Sequence, residues 1–281
     1  MGGSIGFALL LSLLAGLSTG LGSLLAIFVR KPGPRFITLA LGFSCGVMVL
    51  VSFQELLHEG INAVGFVPAY GAFFGGMVSM LLIDALIPHE FIAEHRDDDA
   101  PAQAMTGVPC CRGRRRRRRW HGGSNAVCNS RLYRVGLCTA IGLVIHNFPE
   151  GMASFAGALE DSAVGIAIAA AIALHNIPEG LAVSAPVYAA TGSRKQALLW
   201  GLLCGIAEPA GAALAALVLF PFLSPTVLGY LLAAVAGIMV FIALDELLPA
   251  AHEYNLGHMG VIGVMGGMAV MALSLWMLNG H

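Results

Sequence analysis

Eight uninterrupted apolar runs of about 20 residues constrain this chain most, because that length lets a helix cross the hydrocarbon core of a bilayer. They cover residues 5–28, 36–57, 67–87, 132–159, 163–190, 197–223, 226–250 and 259–278. Backbone in lipid must satisfy its own hydrogen bonds, so runs of this kind become helices. With 57% hydrophobic and 11% charged residues and a mean hydropathy of +0.81, the chain is too apolar for a soluble domain. The reading is an all-α integral membrane protein with eight transmembrane helices.

The basic residues orient it. Arg30, Lys31 and Arg35 follow the first run, Arg96, Arg112, Arg114 through Arg119, Arg131 and Arg134 follow the third, and Arg194 and Lys195 follow the fifth. The loops after runs two, four and six carry none. The positive-inside rule then makes the first, third and fifth loops cytoplasmic and puts both termini outside, in a plasma or inner membrane. The loop after run seven has no Lys or Arg and adds no support. The first run has no basic residue before it and is long for a signal peptide, so it reads as a retained span.

Three regions result: residues 1–90 with spans one to three, a disordered Arg-rich cytoplasmic loop over 91–130, and 131–281 with spans four to eight. The loop mixes three consecutive Asp residues with six consecutive Arg residues. It reads as a topological anchor able to meet anionic lipid headgroups. No aromatic interleaving accompanies the Arg run, so no nucleic-acid partner is expected. His95, His121, Cys110 and Cys111 match no defined metal spacing, and the cysteines form no CxxC pair, so disulfides are not expected.

Inside the apolar runs stand two copies of one hexapeptide, His146-Asn147-Phe148-Pro149-Glu150-Gly151 and His175-Asn176-Ile177-Pro178-Glu179-Gly180, 29 residues apart. An ionisable side chain in a membrane span is costly and is a functional candidate by default. At a spacing of four, each His shares a helix face with its own Glu, so each pair can grip an ion. Asn147 and Asn176 are rotated one position and serve a neighbouring subsite. Pro149 and Pro178 free the carbonyls of Ile145 and Leu174 and kink the helices. Gly151 and Gly180 permit close backbone approach. A lone His on an apolar face is usually core, but chance poorly explains five residue types recurring in one order.

Glu208-Pro209 repeats the chemistry on the sixth span. Glu55 stands near the outer mouth, and Asp84 reads as solvated near the inner boundary. Gly46-Val47-Met48-Val49 with Glu55-Leu56-Leu57 matches Gly237-Ile238-Met239-Val240 with Glu246-Leu247-Leu248 at a constant offset of 191. Those two spans run in opposite directions, so spans one to three pair with six to eight, and four with five, as an inverted repeat. Such repeats with a midplane site mark secondary transporters.

These residues resemble the ZIP family of divalent metal transporters, most closely its ZupT-like branch. The doubled His-Asn-x-Pro-Glu-Gly and Glu208-Pro209 carry the resemblance, which spans everything but the 91–130 loop. It implies a two-metal site between spans four, five and six and movement of metal into the cytosol. By that resemblance His146, Glu150, His175 and Glu179 line one position, and Asn147, Asn176, Glu179 and Glu208 line the other, with Glu150 able to bridge. Met48, Glu55, Asp245 and Glu246 are read as pathway residues. Many relatives have a His-rich loop where this chain has Arg, which puts a metal-sensing role for the loop in doubt.

Mixed imidazole, amide and carboxylate donors predict broad selection among zinc, iron, manganese and cobalt, all as cargo, with no cofactor. Glu150, Glu179 and Glu208 repel one another at low dielectric, and an arriving dication relieves this while displacing protons. The partners are divalent metal ions and membrane lipids, and a homodimer is allowed. A cation channel or an exporter is the rival reading. An intramembrane metalloenzyme fits poorly, because no HExxH occurs and the motifs are duplicated symmetrically.

Overall fold

The computed structural model describes residues 4–29, 32–86, 123–219 and 224–278. The Arg-rich stretch, His95, Cys110, Cys111 and His121 lie outside the described residues. Helices account for the described chain in the order α1 (Ile5–Phe28), α2 (Pro34–Val51), α3 (Leu57–Val64), α4 (Phe66–Leu86), α5 (Gly123–Glu160), α6 (Ser162–Thr191), α7 (Arg194–Leu214), α8 (Pro225–Ile242), α9 (Leu248–His252) and α10 (Met259–Leu278). No strand occurs among the described residues.

Local chemistry sets the ends. Ser4, Ser193 and Ser224 accept from the backbone N–H three residues on, at 3.2, 3.3 and 3.2 Å, and so cap α1, α7 and α8. Gly65 (φ 87°) and Gly192 (φ 67°) take up left-handed backbone where α3 gives way to α4 and α6 to α7.

Among the described residues, seven helices are long and apolar enough to cross a membrane: Ile5–Phe28, Pro34–Val64, Phe66–Leu86, Gly165–Thr191, Arg194–Leu217, Pro225–His252 and Met259–Met277. The remaining predicted run falls within α5, which is not among them; Arg134 and the His146, Asn147 and Glu150 side chains dilute its apolar character. Neither Pro149 nor Pro178 ends its helix; α5 and α6 run on through both.

Two helix pairs continue through π turns rather than ordinary α-helix. Ser52–Leu56 joins α2 to α3, and Ala243–Leu247 joins α8 to α9; a third π turn, Ala215–Leu219, ends α7. The first two hold Glu55 and Glu246.

Packing places α5 and α6 at the centre. They lie against each other, α1 packs on α6 and α7, α5 on α7, α2 on α10, and α4 on α8. Only 22% of the apolar window of α4, and of α10, is buried, so these two are peripheral. Leu10, Leu14, Leu17, Leu21 and Leu25 leave α1 exposed along one face, as a lipid-facing surface requires.

Candidate metal site

The two hexapeptides come together where α5 meets α6, and there the pairing is crossed. His146 Nε2 lies 3.0 Å from Glu179 Oε1, and His175 Nε2 lies 3.4 Å from Glu150 Oε1. Antiparallel helices explain it: four residues up α5 and four back along α6 lead from one pair to the other. Each His therefore faces the Glu of the opposite helix, rather than the one on its own helix that the four-residue spacing suggested. All four residues are buried, at 1% exposure or less.

The amides fix the flanks. Asn147 Nδ2 donates to the Cys204 carbonyl at 3.3 Å. Asn176 Nδ2 donates to the Ala15 carbonyl at 3.1 Å and to Glu208 Oε2 at 2.8 Å. Glu208, on α7, is thereby held against α6. Both hexapeptide glycines lie against a neighbouring backbone. A Cβ on Gly151 would stand 1.8 Å from the Glu208 carbonyl oxygen, and one on Gly180 would stand 1.9 Å from that of Thr19.

Much of the polar capacity here is unspent. His146 Nδ1, Asn147 Oδ1, both Glu150 oxygens, both His175 nitrogens, Asn176 Oδ1, Glu179 Oε2 and Glu208 Oε1 are buried with no hydrogen-bond partner. The His175–Glu150 contact is thus within ion-pair reach but misaligned for a hydrogen bond. Each such atom costs on the order of 1–3 kcal/mol. Carboxylate, amide and imidazole acceptors gathered in this way are the donor set of a borderline divalent cation.

A cavity of about 1060 Å³ leads to this set from one end of the helices. Gln54, Glu55, His58 and Glu59 line its mouth and Glu150 and His175 its floor. Glu55 Oε2 stands 4.0 Å from His175 Nδ1, and both residues line this cavity. Met48, the predicted pathway residue on α2, is fully buried in the core with Met239.

A Cβ on Gly142, one turn from His146, would stand 2.1 Å from Ile242 Cδ1, so Ile242 fills the space there. Another turn along α5 lies a group the sequence reading did not assemble: Asp84, Cys138 and Glu246, with ligand atoms all within 4.8 Å of one another. Asp84, expected to be solvated, is half-buried; its side chain is 14% exposed and lies 3.6 Å from Arg134 Nη2. Asp245 is exposed.

Comparison with known proteins completes the description. A family profile described as ZIP zinc transporter matches residues 2–275. The chain is 49% identical to the zinc transporter ZupT of Chlorobium phaeovibrioides, over 96% of this chain and 97% of that one. It is 48% identical to the zinc transporter ZupT of Chlorobium luteolum, over 97% and 98%. To that of Corynebacterium efficiens it is 46% identical, over 96% of each.

Proposed function

The chain belongs to the ZIP family of transporters, and on that premise we propose that it carries zinc, and with it iron, manganese and cobalt, into the cytosol through a two-metal site between α5, α6 and α7. It is a multi-pass integral membrane protein that transports divalent metal and is not an enzyme. In the proposed site His146, Glu150, His175 and Glu179 hold one ion. Asn147, Asn176, Glu179 and Glu208 hold the second, with Glu150 able to bridge.

The observation that carries this is the crossed pair of His–Glu contacts, buried in an apolar helix pair and reached by a cavity that ends on Glu150 and His175. An ion arriving through the cavity meets Glu55 first, then exchanges water for protein ligands at Glu150 and His175. The inner pair, His146 and Glu179, receives it next. Shared subsites keep each hold weak enough to release.

We read the architecture as eight spans, α5 supplying the fourth, in the regions 1–90, 91–130 and 131–281, with an inverted repeat. Internal correspondences support the repeat. The π turns Ser52–Leu56 and Ala243–Leu247 lie at the offset of 191 found in the sequence. The acceptors of the two hexapeptide Asn amides, Ala15 and Cys204, are 189 residues apart, as are the residues facing the hexapeptide glycines, Thr19 and Glu208. The membrane is a plasma or inner membrane with both termini outside, by the distribution of Lys and Arg.

Uptake of radiolabelled zinc into proteoliposomes of defined orientation tests the reading. Glu150→Ala and Glu179→Ala each lower the initial rate by at least about tenfold, since even an outer-shell partner commands 10- to 100-fold. A rate near that of the parent in either variant sinks the assigned site.

A further inference from the structure

Toward the start of α2, the end opposite Glu55, a second cavity of about 360 Å³ lies between α2, α6 and α10. Phe36, Leu39 and Phe43 of α2, Leu181 of α6, and Ile262 and Gly266 of α10 are among its walls, and every lining residue is apolar or glycine. The α2 positions recur at three- and four-residue spacings, so they form one stripe about 10 Å long. A missing side chain makes the room: a Cβ on Gly266 meets only Phe43 Cδ2, at 4.0 Å. Leu39 and Ile262 stay 38% and 58% exposed, so the space is a groove that opens sideways on the bundle.

We propose that this groove binds an acyl chain of one anionic phospholipid, whose headgroup phosphate Arg35 holds. The binding does not depend on the metal site proposed above.

Charge and depth select the occupant. Arg35 stands in the first turn of α2, one residue before Phe36 and one turn from Leu39, which puts it on the flank of the groove. It is exposed, and no ion pair among the described residues includes it. Its planar fork of N–H donors matches a phosphate, while its stem can lie along apolar surface. The stripe covers about 10 Å of the roughly 15 Å hydrocarbon depth of one leaflet. A chain lying in the groove therefore starts at headgroup level beside Arg35 and runs toward the midplane. Water finds no polar partner on these walls.

The distribution of Lys and Arg puts this end of α2 on the cytoplasmic side, and the cytoplasmic leaflet is the one rich in anionic lipid. A twofold contact with a second copy through the same groove would instead gather both Arg35 guanidinium groups in one interface, where like charges repel. A bound lipid touches three helices at once. One of them is α6, on which Leu181 directly follows the second hexapeptide. Occupancy thus joins α6 to α2 and α10, and anionic lipid raises the unfolding midpoint in detergent.

Photolabelling of the full chain in phosphatidylcholine vesicles tests this. Two probes carry the same diazirine-bearing acyl chain, one on phosphatidylglycerol and one on phosphatidylcholine, and labelled peptides are mapped by mass spectrometry and normalised to the peripheral helix α4. The phosphatidylglycerol probe labels residues 36–43 and 262–266 about fivefold more than the phosphatidylcholine probe, the preference that one arginine at a membrane surface supplies. Arg35→Gln abolishes that preference. Gly266→Leu, whose side chain fills the groove, lowers labelling of these segments by both probes. Arg35 is exposed, so its variant folds whether or not Gly266→Leu does, and its arm decides by itself. Equal labelling by the two probes in the parent, a preference that survives Arg35→Gln, groove labelling undiminished in Gly266→Leu, or chain-to-chain cross-links through α2 and α10 in place of lipid labelling overturns the proposal.

Discussion

At the residue scale, the proposed site divides its duties among the residue types of the hexapeptides. His and Glu offer donors, Asn anchors to a neighbouring carbonyl, and Gly admits a neighbouring backbone. Asn176 illustrates the anchoring: its amide joins α1, through the Ala15 carbonyl, to Glu208 on α7. Asn176→Ala removes both bonds and leaves two buried acceptors, so it costs about 1–3 kcal/mol, read as a lower unfolding midpoint in detergent. Its counterpart Asn147 makes the same kind of bond to Cys204 but touches no carboxylate, so Asn147→Ala costs less. Identical losses would contradict the unequal roles.

The duplicated motif was legible because ionisable residues are conspicuous in apolar runs and repeat in fixed order. The crossed partnership of His146 with Glu179 was not, since it depends on the antiparallel register of two helices, and sequence spacing reports only neighbours on one helix. The Asp84–Cys138–Glu246 group was less legible still. Each member has an ordinary solvated or core explanation, and only tertiary packing brings three distant segments together.

At the element scale, close helix approach positions the site. Gly151 and Gly211 lie reciprocally against the Glu208 and Phe148 carbonyls, so α5 and α7 meet backbone to backbone at the level of the proposed ions. Gly151→Ala forces these helices apart and costs about 1–3 kcal/mol as overpacking. Gly6→Ala, with nothing within 4 Å of the added methyl, is neutral. Thermal unfolding of both in detergent checks this, and equal midpoints would refute the close approach. The apolar runs revealed these helices and most of their ends. The π turns carrying Glu55 and Glu246 left no mark in composition, because an extra backbone residue per turn has no side-chain signature; such turns often accompany functional sites.

At the scale of the whole molecule, the cavity runs from Glu55 to Glu150 and His175. Ala153 and Leu228 line that cavity, whereas Ile242 is fully buried beneath it. In proteoliposomes, a membrane-impermeant thiol reagent on the Glu55 side labels Ala153→Cys and Leu228→Cys but not Ile242→Cys. Equal labelling of all three would mean a continuous pore and favour a channel.

The central claim is that the four crossed His and Glu side chains hold the transported ion together. Anomalous scattering from crystals of the zinc-loaded protein tests it directly. The account predicts a zinc peak within bonding distance of His146, Glu150, His175 and Glu179. Zinc found only elsewhere, with both His–Glu contacts intact, would contradict it.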